Sequence, residues 1–293
     1  MDDTDEIQGE VLRTVKLSER EFTRLSEYIE CELGIKMPPG KKTLLESRLQ
    51  KRLKLLGFKT FKDYCEFLFS PEGAEHEVVN MIDVVTTNKT DFFREPDHFE
   101  FLFQTALPEL VKTFGAGVKK TFIVWSAGCS TGEEPYTLAM ILTEFGARYP
   151  GFGFDFLIIG TDISSRVVEA AARGVYKEDR IEPVPLEMRR KYILRSKDRE
   201  KGMVRVAHEI RSRVRFRRLN FMDSDYGFRE PIDVLFCRNV FIYFDKETQE
   251  TLLRKLVNTL RVGGFFFIGH SESLSGFDLP LARVAPSVYR KVE

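Results

Sequence analysis

Cysteine is scarce in this chain of 293 residues: Cys31, Cys65, Cys129 and Cys237 are widely scattered, with no Cys-x-x-Cys spacing. That excludes a disulfide framework and a cysteine zinc site, and fits reduced thiols in a cytoplasm. Net charge is absent too. The 45 Lys+Arg cancel 45 Asp+Glu, which argues against bulk attraction to nucleic acid or anionic lipid but permits local basic patches. No apolar run approaches the roughly 20 residues that span a bilayer. The opening Met1-Asp2-Asp3-Thr4-Asp5-Glu6 lacks the basic-then-apolar order of a secretion signal. A cytoplasmic protein without membrane insertion is expected. His76, His98, His208 and His270 are too dispersed along the chain to suggest a metal site, so no metal is expected. Internal repeats and low-complexity tracts are missing as well.

What is present is globular, with 43% hydrophobic and 31% charged residues. At roughly 150 residues per domain, two domains are expected. Residues 1–17 carry five acids and two bases with little apolar content and read as a flexible acidic tail. Ser18 and Glu21 then form a capping box, and Phe22, Leu25, Ile29 and Leu33 follow at helical spacing until Gly34. A second helix is expected from about Lys41 to Leu56, with Leu44, Leu45, Leu49, Leu53 and Leu56 on its apolar side and Gly57 at its end. Helical patterns continue over 61–69 and 74–85. The expected organisation is a small all-helical domain over 18–86, a linker over 87–95 and an α/β domain over 96–293.

In that second part a helical stretch over 96–114 precedes an alternation. Strands are expected over 121–125, 154–159, 232–236 and 264–268, with helices over 133–145, 164–172 and 246–260. Short apolar strands alternating with helices imply a doubly wound, mainly parallel sheet. Segments 192–195, 203–207 and 214–219 read instead as a small antiparallel β insertion at the sheet edge, within about 192–219, with Lys197 to Lys201 as a charged turn.

Ligands in doubly wound sheets bind beyond the carboxyl ends of the strands. The first strand runs into Ser126-Ala127-Gly128-Cys129-Ser130-Thr131-Gly132, small residues that admit close backbone approach before a helix opens at Glu133. Glu133 and Glu134 favour a helix start. They also repel a pyrophosphate and favour a cationic ligand. Asp162 ends the second strand, where it either accepts ribose hydroxyls or caps the next helix. Asn220 follows the segment 214–219, and Arg238 with Asn239 follows 232–236. Together these polar strand ends point to a nucleoside cofactor.

Three long segments carry a resemblance. Thr87-Asn88-Lys89-Thr90-Asp91-Phe92-Phe93-Arg94-Glu95, Trp125 through Tyr136, and Phe236 through Asp245 closely resemble the chemotaxis receptor methyltransferases, the CheR family, and Gly269-His270-Ser271-Glu272 is similar to another of its segments. The resemblance covers nearly the whole chain. It implies transfer of a methyl group from S-adenosylmethionine, leaving S-adenosylhomocysteine, to glutamate side chains on the cytoplasmic methylation helices of bacterial chemoreceptors. It further implies that Asn88, Thr90 and Arg94 reach over the cofactor, and that Glu134 lies near its methionine portion, the choice between it and the adjacent Glu133 staying open. Asp162 would bind ribose, Asn220 and Phe221 would lie by the adenine, and Arg238 and Asn239 would complete the pocket. Arg94 and Tyr243 would stand near the transferred methyl as the catalytic positions. Some members grip a receptor tail through a glycine-containing turn in the β insertion. The matching turn here, Ser196-Lys197-Asp198-Arg199, has no glycine, a departure that leaves tail binding open.

Other readings compete. Gly128-Cys129-Ser130-Thr131-Gly132 fits a nucleophile elbow, with Asp233 and His270 following in hydrolase order, although this is the first strand of the sheet. A signalling module that binds cofactor without methyl transfer is the non-enzyme alternative. An amino-group nucleic-acid methylase would show Asn/Asp-Pro-Pro-aromatic where this chain reads Arg238-Asn239-Val240-Phe241, so no nucleic-acid partner is expected. Cys237 reads as a small buried hydrophobe. Lys41, Lys42, Arg48, Lys51, Arg52 and Lys54 face a single acid, Glu46, and offer a docking surface for an acidic substrate helix. Arg211, Arg213, Arg215 and Arg217 alternate along what reads as one strand face. A monomer is expected.

Overall fold

A computed structural model describes residues 15–198 and 202–293. Residues 1–14 of the expected tail, and residues 199–201 of the charged turn, with Arg199 among them, lie outside the described residues. The chain divides into two compact units: residues up to Glu30 with Met37–Val85, and Cys31–Lys36 with Thr86–Glu293.

Every element among the first unit's described residues is a helix: most of α1 (Glu19–Leu33), then α2 (Lys42–Leu56), α3 (Phe61–Leu68), α4 (Pro71–His76) and α5 (Val78–Val85). The capping box forms. Ser18 Oγ accepts the Glu21 N–H at 3.3 Å, and the Glu21 carboxylate accepts the Ser18 N–H at 3.2 Å. Gly57 ends α2 in the left-handed conformation, φ 76°, its N–H bonded to the carbonyls of Leu53 and Lys54. Leu45, Leu49 and Leu53 recur every four residues and are buried with Leu25, Ile29, Tyr64 and Leu68. Leu44 lies off that stripe and is 42% exposed, while Leu56, on the stripe's side but the last residue of α2, is 38% exposed. The helix expected over 74–85 breaks at Glu77, which is buried. A buried carboxylate must be bonded, and Glu77 accepts from Arg52 Nε at 2.8 Å and Tyr64 Oη at 3.0 Å.

The second unit begins with α6 (Pro96–Phe101) and α7 (Leu107–Phe114), joined by a π turn at Leu102–Ala106. One continuous helix was expected over 96–114. Pro108 explains the difference, because it has no N–H for the carbonyl of Gln104 and its ring crowds that group. There follow β1 (Phe122–Ala127), α8 (Glu133–Arg148), β2 (Phe156–Asp162), α9 (Ser165–Arg173), β3 (Val175–Lys177), α10 (Leu186–Tyr192), β4 (Ile193–Arg195), β5 (Met203–Val206), α11 (His208–Arg211), β6 (Val214–Arg218), β7 (Ile232–Phe236), α12 (Lys246–Thr259), β8 (Leu260–Phe267), β9 (Leu281–Ala285) and β10 (Val288–Lys291).

The main sheet has the order β6-β2-β1-β7-β8-β10-β9. Its first five strands are parallel, and β10 pairs antiparallel with both β8 and β9. Side chains alternate between two buried faces. Phe122, Val124, Val234, Phe236, Phe265 and Phe267 pack into one cluster with α6–α8, while Trp125, Leu235, Cys237 and Phe266 pack into the other with α12. The small antiparallel sheet is real, but its membership differs from expectation. Segment 214–219 forms β6 of the parallel sheet, in register from Ile158 opposite Val214 to Asp162 opposite Arg218. The small sheet runs β3-β5-β4 instead. Its extra strand, β3, is three residues long, too short for period-2 alternation to show.

Candidate functional site

The chain moves from β1 outward to β2 and β6, then returns to the other side of β1 with β7. That reversal leaves a crevice at the carboxyl ends of β1 and β7, where doubly wound sheets bind ligands. The strand ends are level. Ser126 is opposite both Gly160 and Phe236, and Ala127 is opposite Thr161.

The loop from β1 to α8 is held in unusual backbone conformations: Gly128 at φ 78°, Ser130 at 49° and Gly132 at 95°. Phe93, Glu95 and Asn239 are also left-handed, at 53°, 56° and 58°. Non-glycine residues in this region gather at functional sites, where surrounding contacts hold the strain. Gly132 must be glycine on a second count, because an added Cβ would lie 2.8 Å from Ala171 Cβ.

Asp162 is buried, and its carboxylate accepts the Ser130 N–H at 2.9 Å and the Ser164 N–H at 3.0 Å. The cap of α9 is Ser164, whose side chain accepts from Val167 N–H, so Asp162 is released from the capping alternative. Ser130 Oγ donates to the Asn88 carbonyl at 3.2 Å, while Asn88 Nδ2 reaches Thr86 Oγ1 at 3.3 Å. Segment 88–95 is thereby tied to the β1–α8 loop. A second tie is Phe93 N–H to Thr137 Oγ1 at 3.2 Å, and a third runs from Arg180 to the Thr90 carbonyl and Asp91.

The two adjacent glutamates part company. Glu133 is buried and takes Arg180 at 2.8 Å and Thr131 Oγ1 at 2.6 Å. Glu134 turns to the crevice side, accepting Ser126 Oγ at 2.6 Å and Arg238 Nη1 at 3.0 Å. Arg238 is itself buried. It donates to Glu95 from Nε at 3.2 Å and Nη2 at 2.8 Å, and to the Arg94 carbonyl. Burial alone would raise the Glu95 carboxyl, but the Arg238 guanidinium holds it below its usual range. Glu272 fixes the turn after β7, accepting the N–H groups of Asn239 (2.8 Å), Phe241 (2.8 Å) and Gly269 (2.7 Å).

The remaining expected residues are anchored separately. Arg94 is half-buried, with Nη1 on the Lys89 carbonyl at 3.2 Å. Asn220 donates to the Glu32 carbonyl at 2.7 Å, and Phe221 meets the edge of Tyr226. Tyr243 is half-buried in a short 3₁₀ turn, its carbonyl accepting the Lys36 N–H at 2.9 Å. Glu95, Arg180, Ser126 and Glu272 were not picked out from sequence as site residues. Glu95, Ser126 and Glu272 lay inside the segments that carried the resemblance, which was the available signal; Arg180 lay outside them.

Histidines dispersed in sequence come together in space. His98 and His270 have ring centroids 4.7 Å apart, and with Glu95 they bring three potential ligand atoms within 4.8 Å of one another. His98 is buried with neither ring nitrogen hydrogen-bonded. Burial, and then the charge of Arg238, push its pKa down to about 4. The same guanidinium occupies Glu95, which counts against a cation there.

The hydrolase reading fails on geometry. Ser130 Oγ faces the Asn88 carbonyl, and His270 Nε2 meets Asp97 at 3.0 Å. Asp233 sits near the start of β7, bonded to Ile123 N–H and Arg261. Cys129 and Cys237 are buried, which pushes both thiols up and leaves them inert. The arginine stripe is also revised. Arg211 belongs to α11 and Arg213 pairs with Asp155, so only Arg215 and Arg217 alternate within β6. On α2, Arg52 is committed to Glu77, Arg48 to the Val85 carbonyl and Lys42 to Glu19. Lys51 and Lys54 remain exposed, beside Leu44 and Leu55.

Comparison with known proteins agrees with this architecture. Residues 88–287 match the family model described as CheR methyltransferase, SAM binding domain, and residues 20–86 match CheR methyltransferase, all-alpha domain. The chain is 38% identical over 277 residues to a chemotaxis protein methyltransferase of Borreliella burgdorferi, covering 94% of this chain and 96% of that protein. It is 37% identical to one of Klebsiella aerogenes, covering 91% and 88%, and 34% identical to one of Escherichia coli, covering 93% and 91%. With both parts of the chain matched and the hydrolase triad unassembled, the chain belongs to the CheR methyltransferase family and is an S-adenosylmethionine-dependent methyltransferase of chemotaxis.

Proposed function

We propose that the methyl acceptor is the glutamate side chain, on the cytoplasmic methylation helices of chemoreceptors, and that the enzyme works as a cytoplasmic monomer. The observation that carries this reading is the Arg238 guanidinium, which bonds both Glu134 and the Arg94 carbonyl. It joins a cation-bearing segment to the carboxylate at the cofactor crevice. A cation on that segment suits a carboxylate acceptor, which it can hold by a charge-assisted hydrogen bond.

The donor set suits the cofactor. Asp162, buried at the end of β2 and held by the Ser130 and Ser164 N–H groups, is placed to accept ribose hydroxyls. Glu134, with a side chain 13% exposed, suits the amino group of the methionine portion. Asn88 and Thr90 cover the cofactor, Asn220 and Phe221 flank the adenine, and Asn239 closes the pocket. Arg238 belongs to that pocket by holding Glu134.

When bound, the cofactor supplies a methyl group already activated on a sulfonium. A glutamate of ordinary pKa, about 4.3, is already ionised at neutral pH, so the chain needs no general base. Its work is alignment and exclusion of water from the acceptor carboxylate. Arg94 holds a carboxylate, that of the acceptor or that of the cofactor. An Arg94 variant with raised receptor KM alone assigns the first role, and weakened cofactor binding assigns the second. Tyr243 packs on the cofactor or donates a hydrogen bond beside the methyl.

The test is incubation of the purified protein with methyl-labelled cofactor and receptor cytoplasmic fragments. Base-labile label on glutamate is expected; base-stable label, or none, overturns the reading.

A further inference from the structure

We propose that Glu95 is a positioning residue for methyl transfer, acting through Arg238 to hold Glu134 aimed at the cofactor's amino group and to leave the cluster one negative charge in surplus. The proposal rests on the reading that Glu134 meets that amino group.

A guanidinium has five N–H donors. In Arg238 four are committed: Nε and one Nη2 hydrogen to Glu95, the other Nη2 hydrogen to the Arg94 carbonyl, and one Nη1 hydrogen to Glu134. One remains, on a side chain only 2% exposed. Arg238 therefore has little left with which to bind a ligand, and its part is to hold others. Its Cζ lies over the Phe99 and Phe236 rings, 5.5 and 5.9 Å from their centroids, so the cation is packed by aromatic rings as well as held by bonds.

Glu95 sets that plane through two bonds to one carboxylate oxygen, while its other oxygen accepts the His270 N–H at 3.3 Å. It does so from a left-handed backbone, φ 56°, just before Pro96. Two carboxylates share one cation, so one negative charge is left over in the cluster. That surplus is what a cationic amino group meets at Glu134. Without the charge at 95, Arg238 would neutralise Glu134 and the attraction would be lost.

The charge-removing, nearly isosteric Glu95→Gln separates this from a structural role. S-adenosylhomocysteine, which carries the amino group, should bind the variant about tenfold more weakly, the loss of roughly one charge-assisted contact. Methylthioadenosine, which lacks the amino-acid portion, should bind variant and parent alike. Equal losses for both ligands, or no loss for either, overturn the proposal. Glu134→Gln is run in parallel. If it does not lose S-adenosylhomocysteine selectively, the reading of Glu134 fails; if it does and Glu95→Gln does not, only the role of Glu95 fails. Should Glu95→Gln not fold, Glu95→Asp keeps the charge but shortens its reach, and a selective loss of about threefold is expected; no selective loss overturns the proposal.

Discussion

Asp162 has both carboxylate oxygens on backbone N–H groups before any ligand arrives, so it is aimed by the same loop that lines the crevice. Asp162→Ala should weaken cofactor binding by roughly 1–3 kcal/mol, the range for lost buried hydrogen bonds. Unchanged affinity in calorimetry would remove Asp162 from the site. His98 makes a different prediction, about pH. Its folded pKa is about 4 against the 6.5 of an unperturbed imidazole, because burial and then Arg238 disfavour its charged form. Between those values the unfolded chain binds a proton that the folded chain refuses. Stability should therefore fall as pH drops from about 6.5 toward 4 and level off below, with a full contribution of about 3 kcal/mol. His98→Phe should flatten that part of the profile. A urea midpoint that shifts equally with pH in parent and variant would refute the assignment.

At the scale of elements, α2 carries two kinds of cation that sequence could not tell apart. Arg52 grips the buried Glu77, and Arg52→Ala should cost about 3–5 kcal/mol because it strands that carboxylate. Lys51 and Lys54 are exposed. Reversing both to Glu should leave urea stability near that of the parent and lower receptor methylation at limiting receptor, with cofactor affinity intact. Charges on a surface are screened over about 8 Å at physiological ionic strength, so the difference between parent and variant should shrink as salt rises. A double reversal that methylates receptor as the parent does at low salt would leave these lysines as a solvated face. The helices themselves were legible: Ser18 with Glu21, and Gly57, mark real ends. The π turn before Pro108 and the break at Glu77 were not, because a run of apolar residues at helical spacing says nothing about how a proline or an inward carboxylate is accommodated.

For the molecule as a whole, cofactor binding should raise the unfolding free energy with the logarithm of ligand concentration, by about 2.7 kcal/mol at a hundredfold excess over Kd, and the unfolding midpoint with it. A midpoint indifferent to S-adenosylhomocysteine at that excess would argue against a single folded cofactor site. By itself the sequence determined the helical first part, the alternation that makes a parallel sheet, and the polar residues waiting at strand ends. These are local signals, carried by caps and by periods of 3.6 and 2 residues. Tertiary structure decided the rest. It put 214–218 beside β2 in the parallel sheet, since a strand's own pattern does not name its neighbour or its direction. It brought Arg238 onto Glu95 and Glu134 across more than a hundred residues, sent Glu133 to Arg180 instead, and set His98 against His270. Such pairings depend on which distant groups the folded sheet leaves buried together. A buried charge must then find its partner wherever the fold has placed one.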